Sequence, residues 1–379
     1  MPLFDDIQRV SLAIPRAGES RFTYLNNSAR PAAAAVREFL TSCVADYPEE
    51  GRSDLITRLR SIDTNFESAV FELIVHQLLI RSGHRIVAIE PVLPGTTKRP
   101  DFLVAAPDGT EFIVECVVAN GRSEQALGAD RRLAAALDAI SETPSPRHFL
   151  SVHIEGAAGA MITTRVLRRR LAQWIEALPD GVAAKEWPEF VHEEHGLTLT
   201  VSVLVERRRP FEVGERSVAA THFPVRVAQP GEDVRGSLEK KANRYGDLGR
   251  PYVIAVGDVG NFHGEHHLMD ALLGSQVVVI NRDVPGGNPR AERADNGLWT
   301  NGRRARKRGV SGVLYLAGMD AWRPWGRTIR LVTNPWATHP LEDGVLPVPK
   351  LLPIDGEFRP VDGEHGPGLF GLDEDWPAE

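Results

Sequence analysis

The stretch Arg99-Pro100-Asp101-Phe102-Leu103-Val104-Ala105-Ala106-Pro107-Asp108-Gly109-Thr110-Glu111-Phe112-Ile113-Val114-Glu115-Cys116-Val117 decides how this chain is read. Two apolar, β-branched runs, Phe102-Leu103-Val104 and Phe112-Ile113-Val114, flank the turn chemistry of Pro107-Asp108-Gly109, so the stretch predicts a β-hairpin. Its residues favour a three-residue loop, with Pro107 and Asp108 in a type I turn and Gly109 in the left-handed position of a G1 bulge. That register sets Ala106 opposite Thr110 and Asp101 opposite Glu115. A two-residue turn would instead slip the pairing by one and send the two acids to opposite faces.

Directly opposed side chains on one face of an antiparallel pair stand about 5 Å apart at Cβ, where like charges destabilise. A bound cation, a shared proton or a neighbouring Lys or Arg would each offset the repulsion between Asp101 and Glu115. A divalent metal is the offset that also supplies chemistry. The other face of the hairpin is apolar throughout, Phe102, Val104 and Ala106 against Phe112, Val114, Cys116 and Val118, and is expected in a core. Only the carboxylate face is left free to work.

Upstream, residues 65–81 read as a helix ended by Gly83. Apolar residues, Phe66, Val70, Phe71, Ile74 and Leu78 among them, run round nearly its whole circumference, which predicts a buried helix. Glu72 and His76 share a face of it, four residues apart. A carboxylate on a buried helix needs a partner, so Glu72 is either a third acid beside the hairpin pair or paired with His76. Residues 86–89 form a first strand, giving the order helix, strand, strand, strand.

Downstream, residues 127–140 read as a helix, 148–154 as a strand, 163–178 as a basic amphipathic helix and 197–206 as an alternating strand, a block that suits a self-contained αβ insertion. A helix over 237–247 then precedes Pro251-Tyr252-Val253-Ile254-Ala255-Val256-Gly257, a short apolar strand of the buried parallel kind, and 277–280 is another such run. On the helix, Leu238, Lys241, Ala242 and Tyr245 form one stripe, so Lys241 points toward the core side. That is an unusual place for lysine.

These elements resemble the PD-(D/E)XK nuclease superfamily, in which a helix bearing Glu, a strand, Pro-Asp opening the next strand and Glu-x-Lys closing the one after form the signature. Pro100-Asp101, Glu115 and Glu72 match three of its parts, and Val117 stands at the lysine position. The resemblance covers residues 65–120 and 237–257. It implies an α/β fold with a restriction endonuclease-like core (helix, three-stranded antiparallel meander, helix, parallel strand), carrying a large αβ insertion and a C-terminal extension. It also implies Mg2+, with Mn2+ as a substitute, held by Asp101, Glu115, the backbone carbonyl of Cys116 and Glu72. Some members take the lysine, or a glutamine with a nearby tyrosine, from the following helix, which here assigns that role to Lys241 with Tyr245. The activity implied is hydrolysis of DNA phosphodiester bonds, in defence or DNA processing. RNA is an alternative substrate, and a catalytically inactive nuclease-like protein that binds nucleic acid or a protein partner is an alternative to the enzyme.

At 379 residues the chain exceeds one ordinary domain. The reading is a helical region at 1–60, a core at 61–125 and 236–285, an αβ insertion at 126–235, a Trp- and Arg-rich region at 286–352, and a loose Pro-, Gly-, Asp- and Glu-rich tail at 353–379. A net charge of −7 argues against non-specific coating of nucleic acid. Locally, Arg303, Arg304, Arg306, Lys307 and Arg308 form either a solvated loop or a grip on a phosphate backbone. The nearby Trp299, Trp322, Trp325 and Trp336 are read as core packing ahead of base stacking. Cys43 and Cys116 are too few for a disulfide framework, no apolar run reaches the roughly 18 residues that span a bilayer, and the first residues lack a signal peptide's basic start. A cytoplasmic protein is the expectation, and a two-fold dimer would suit cutting both strands. His263-Gly264-Glu265-His266-His267 and His192-Glu193-Glu194-His195 gather metal-ligand types without the spacing of a zinc site.

Overall fold

A chain patterned in this way folds as mixed α/β, and a computed structural model describes it except for residues 17, 120–123, 180–186, 208, 210–214, 224–229, 260–263, 280–289, 303 and 379. Two units are delimited, one made of Met1–Ala13, Ser20–Gly121 and Ala228–Glu379, the other of Ile14–Glu19 and Arg122–Val227. The first unit begins with helices α1 (Arg21–Asn27), α2 (Pro31–Asp46), α3 (Glu49–Leu59) and α4 (Asp63–Arg81), followed by strands β1 (Arg85–Ile89), β2 (Phe102–Ala105) and β3 (Glu111–Ala119). The second unit contributes α5 (Glu124–Ser141), β4 (His148–Gly156), α6 (Thr164–Glu176), β5 (Phe190–Glu194), β6 (Leu197–Glu206) and β7 (Val218–His222). The chain then returns to the first with α7 (Pro230–Ala242), β8 (Tyr252–Asp258), α8 (Glu265–Leu273), β9 (Gln276–Val279), β10 (Arg290–Arg293), β11 (Gly312–Ala317), β12 (Thr328–Thr333), β13 (Lys350–Ile354) and β14 (Glu357–Val361).

In the first unit the described residues build an eight-stranded sheet in the order β1-β2-β3-β8-β11-β12-β13-β14. Strands β1, β2 and β3 are an antiparallel meander, and β8 lies parallel to β3 on one side and to β11 on the other. Every residue of β8 is buried, as a central strand covered on both faces must be. One face packs on α4 through Phe102, Val104, Phe112, Val114, Val253 and Ala255. The other packs on α7 and α8, with Ile113, Ile254, Val256 and Tyr315 meeting Val234, Leu238 and Leu268. Gly257 permits the first contact at close range, because a Cβ there would stand 2.8 Å from the ring of Phe71.

The second unit is a four-stranded sheet, β5-β6-β4-β7, with Leu133, Ala136 and Ile140 of α5 and Leu167 and Leu171 of α6 on one core with Leu150, Val152, Leu199 and Val201. The sequence sets an αβ insertion at 126–235; the second unit ends at Val227, and α7, which starts at Pro230, belongs to the first. No helix among the described residues is long and apolar enough to cross a membrane.

Four expectations are corrected. The helix placed at 237–247 is α7, seven residues earlier at its start and ended at Ala242, so Tyr245 follows the helix instead of riding on it. The run 277–280, whose last residue lies outside the described ones, is no buried parallel strand over 277–279: β9 pairs antiparallel with β10 in a separate two-stranded sheet, and Val278 is 65% exposed. The region at 286–352 is not an extension beside the core, since β11 and β12 extend the main sheet directly next to β8. Nor are the described residues of 353–379 loose. Its acidic and Gly-rich composition supplies the Asp355-Gly356 turn between β13 and β14, and Phe370 is fully buried with its ring edge-on to Phe39. Trp299 is fully buried, and Trp322, Trp325 and Trp336 pack against the two cores, in keeping with a packing role.

Candidate active site

The β2–β3 hairpin has the three-residue loop and the register its residues favour. Phe102 faces Val114 and Ala105 faces Glu111, Ala106 N–H donates to Thr110 C=O at 2.8 Å, and Gly109 takes φ +89°. Continuing the ladder by one step sets Asp101 opposite Glu115. Strand β2 begins only after Pro100, which has no N–H to give a ladder, whereas β3 runs on to Ala119. The N–H of Cys116, left without a β2 partner there, donates to Asp101 Oδ2 at 2.5 Å. The two strands separate at this point with both carboxylates on the α7 side.

Glu115 is nearly inaccessible, its side chain 1% exposed, and it is held from three directions by Lys241 in the last turn of α7 and by Arg244 and Tyr245 just beyond it. Lys241 Nζ donates to Oε1, Arg244 Nη1 donates to the same oxygen at 3.2 Å, and Tyr245 O–H donates to Oε2 at 2.6 Å. The Arg99 carbonyl lies 2.8 Å from the same hydroxyl and shares its proton, so Tyr245 ties Glu115 to the segment that presents Asp101. Unit charges 5 Å apart at an effective dielectric of 20 repel by about 3 kcal/mol, and one adjacent cation offsets that. Lys241 and Arg244 are therefore the neighbouring-cation remedy for the paired acids.

Asp101 keeps the remainder of the problem. Its Oδ1 receives no hydrogen bond among the described residues, and burial, then the charges of Glu115 and Glu72, push its carboxyl up to about 7 against an ordinary 3.8. The folded chain holds that proton up to about pH 7 while the unfolded chain releases it near pH 3.8, so stability falls as pH rises through that window. Asp101→Asn should therefore be the more stable protein at pH 8 without divalent metal, by roughly 1–3 kcal/mol, and equal to wild type near pH 4. Urea denaturation at the two pH values checks this; an Asn variant less stable at pH 8 would contradict it.

Glu72 is not joined to the pair. It points from α4 into the opposite core, where Tyr47 O–H donates to Oε1 at 2.6 Å and Arg58 donates to both oxygens at 2.7 and 3.0 Å. His76, its alternative partner in the sequence, instead packs its ring between Tyr47 and Phe102 and is held neutral by burial, its pKa lowered to about 4. With both oxygens occupied, Glu72 takes neither of the two roles that the sequence leaves open, the third metal acid or the partner of His76. Among the described residues, no group of three or more His, Cys, Asp and Glu side chains is placed to hold a metal ion.

The basic cluster lies beside this site. Arg303 lies outside the described residues. Lys307, at φ +46°, donates to Asn243 Oδ1, one residue from Arg244, and Arg306 stands 3.8 Å from Glu239 of α7. Arg304 and Arg308 are exposed, the latter donating through Nε to the Trp336 carbonyl.

No known family model matches this chain, and no curated protein or solved structure is significantly similar to it.

Sequence reasoning missed Arg244, Tyr47 and Arg58. For Arg244 a signal existed: it lies three residues beyond Lys241, the spacing that returns to one face of a helix or its last turn. Tyr47 and Arg58 come from separate helices and leave no local pattern that points to Glu72.

Proposed function

We propose that this chain is a metal-dependent phosphodiesterase acting on DNA, with a restriction endonuclease-like core. The observation that carries the reading is the register of Asp101 against Glu115 at the open end of β2, with Lys241 brought onto Glu115 by α7. Val117 stands where a motif lysine would, and its side chain packs with the α7 core. Lys241 supplies an amine on that same side from a different element.

A divalent cation fits the donor set. Asp101 Oδ1 is free of hydrogen bonds among the described residues, its carboxyl is pushed toward neutrality by burial and then by the neighbouring acids, and Glu115 Oε2 carries one donor only among them. Asp101 and Glu115 would hold Mg2+, an oxygen-seeking ion that keeps several waters, and the bound ion would acidify a water and neutralise charge on the phosphoryl group. The chain's own residues do the rest. Tyr245 fixes the Glu115 carboxylate against the Arg99 carbonyl. The Lys241 side chain, 18% exposed, brings its amine onto Glu115 Oε1, from where it orients a water at the reacting phosphate. Arg244, 37% exposed, gives one N–H to Glu115 and keeps its remaining guanidinium donors for a phosphate oxygen, where planar, charge-assisted contacts are strongest.

The basic loop extends this surface, and its exposed Arg304 and Arg308 suit contacts to flanking phosphates. The double variant Arg304→Ala/Arg308→Ala should weaken DNA binding across all sequences and flatten the slope of log K against log salt by about 1–2. Fluorescence anisotropy over a salt series measures it; an unchanged slope would remove these residues from the interface.

The second reading, a nuclease-like protein without chemistry, is favoured by one feature: the cations on Glu115 compete with a metal for the same carboxylate. Calorimetric titration of the protein with Mg2+ separates the two. A saturable site lost in Asp101→Ala supports the enzyme, and no binding by wild type supports the inactive form.

A further inference from the structure

Strands β8 and β11 are parallel neighbours, and a cavity of about 210 Å³ opens just beyond their carboxyl ends, lined there by Val259 and by Gly318 to Ala321. In open α/β sheets the carboxyl ends of parallel strands are where ligands settle. The cavity lies on the α4 face, whereas Lys241 and Glu115 meet on the α7 face, and it sits about 16 Å along β8 from the level of Glu115. It is therefore separate from the candidate active site.

Its chemistry is two-sided. Phe66 and Val70 of α4, with Met319, make an apolar floor that belongs to the core beneath. At the rim Arg21 is paired with Glu67 at 3.0 Å, and Asp320 has Oδ1 engaged by the N–H groups of Trp322 and Arg323. The Arg327 side chain has no hydrogen-bond or ion-pair partner among the described residues, yet its backbone is fixed from behind: its N–H donates to the Ala317 carbonyl, and Gly326 turns the chain at φ +67° in a spot where a Cβ would stand 2.6 Å from that carbonyl. A backbone held this firmly presents an exposed, unpaired guanidinium at the polar rim of a cavity whose floor is apolar.

We propose that this cavity binds a small amphipathic organic anion, its apolar body on Phe66, Val70 and Met319 and its acid group, carboxylate or phosphate monoester, on Arg327. Size agrees: an apolar cavity of about 150 Å³ takes a benzene ring, and the space here admits one ring with its acid group. The inference stands independently of the nuclease reading, since it uses none of Asp101, Glu115 or Lys241.

Titration of the full chain with phenyl phosphate, benzoate and the neutral benzyl alcohol, followed by calorimetry and by thermal shift, tests it. At least one of the two anions should bind saturably with a Kd near or below about 1 mM, the alcohol at least tenfold more weakly, and Arg327→Gln should weaken the anion about ten- to a hundredfold, the range that charge-assisted hydrogen bonds provide. Because Arg327 is exposed and unpaired, the variant should melt with wild type in the absence of probe, which shows that it folds. Binding of phenyl phosphate alone assigns a phosphate ester, and of benzoate alone a carboxylate. Failure of both anions to saturate, or equal affinity for the alcohol, or an Arg327→Gln variant that binds as well as wild type, overturns the proposal.

Discussion

Lys241→Met lowers the rate of Mg2+-dependent DNA cleavage by about 10²–10⁴-fold, the range seen when a positioned proton-handling or charge-stabilising group is removed. The methionine keeps most of the unbranched apolar stem, so the fold survives, while Glu115 retains Arg244 and Tyr245. Mg2+ affinity should hold or improve, because a competing cation has left the carboxylate. The expected pattern is a large loss in kcat with KM little changed, which assigns Lys241 to the chemical step. A fall in Mg2+ affinity that accounts for the whole loss would instead make Lys241 a structural support of Glu115. Single-turnover cleavage at saturating Mg2+, beside calorimetric titration of the ion, distinguishes the two.

Arg58→Ala destabilises the fold by about 2–4 kcal/mol without entering the chemistry. Glu72 is 7% exposed and sits inside the α4 core, so its charge depends on the two guanidinium donors and on Tyr47. Removing one partner of a buried pair leaves an uncompensated charge and costs about 3–5 kcal/mol; the Arg58 side chain is 32% exposed, which places the expectation toward the lower end. The urea midpoint should fall with the slope unchanged. Glu72→Gln, nearly isosteric, should retain cleavage within about tenfold of wild type if Glu72 is structural, since interactions outside the reacting centre leave transition-state binding largely intact. Loss of cleavage as deep as that of Asp101→Ala would return Glu72 to the metal.

The parts of the fold that were legible in sequence are those set by short-range physics. Pro107, Asp108 and Gly109 dictate a loop length, loop length dictates register, and register sets Asp101 opposite Glu115. The all-round apolar pattern of α4 required enclosure, and it is enclosed. The position of Lys241 on the inward stripe of its helix was visible too, though not its target, because 126 residues separate it from Glu115. What stayed hidden depended on distant partners. Composition made 353–379 look loose, but β14 is stabilised by pairing with β13, and Phe370 by Phe39 of α2. The short valine run of β9 carries no information on whether a second layer covers it, and its partner β10 is charged, Arg290-Ala291-Glu292-Arg293, leaving it exposed.

Incubation of supercoiled plasmid with wild type and with Asp101→Ala, in Mg2+ and in Mn2+, measures the central claim directly. Metal-dependent nicking or linearisation by wild type, abolished by chelation and reduced at least about a thousandfold in Asp101→Ala, is the predicted result. Equal nicking by the two proteins, or none by wild type in either metal, would contradict it.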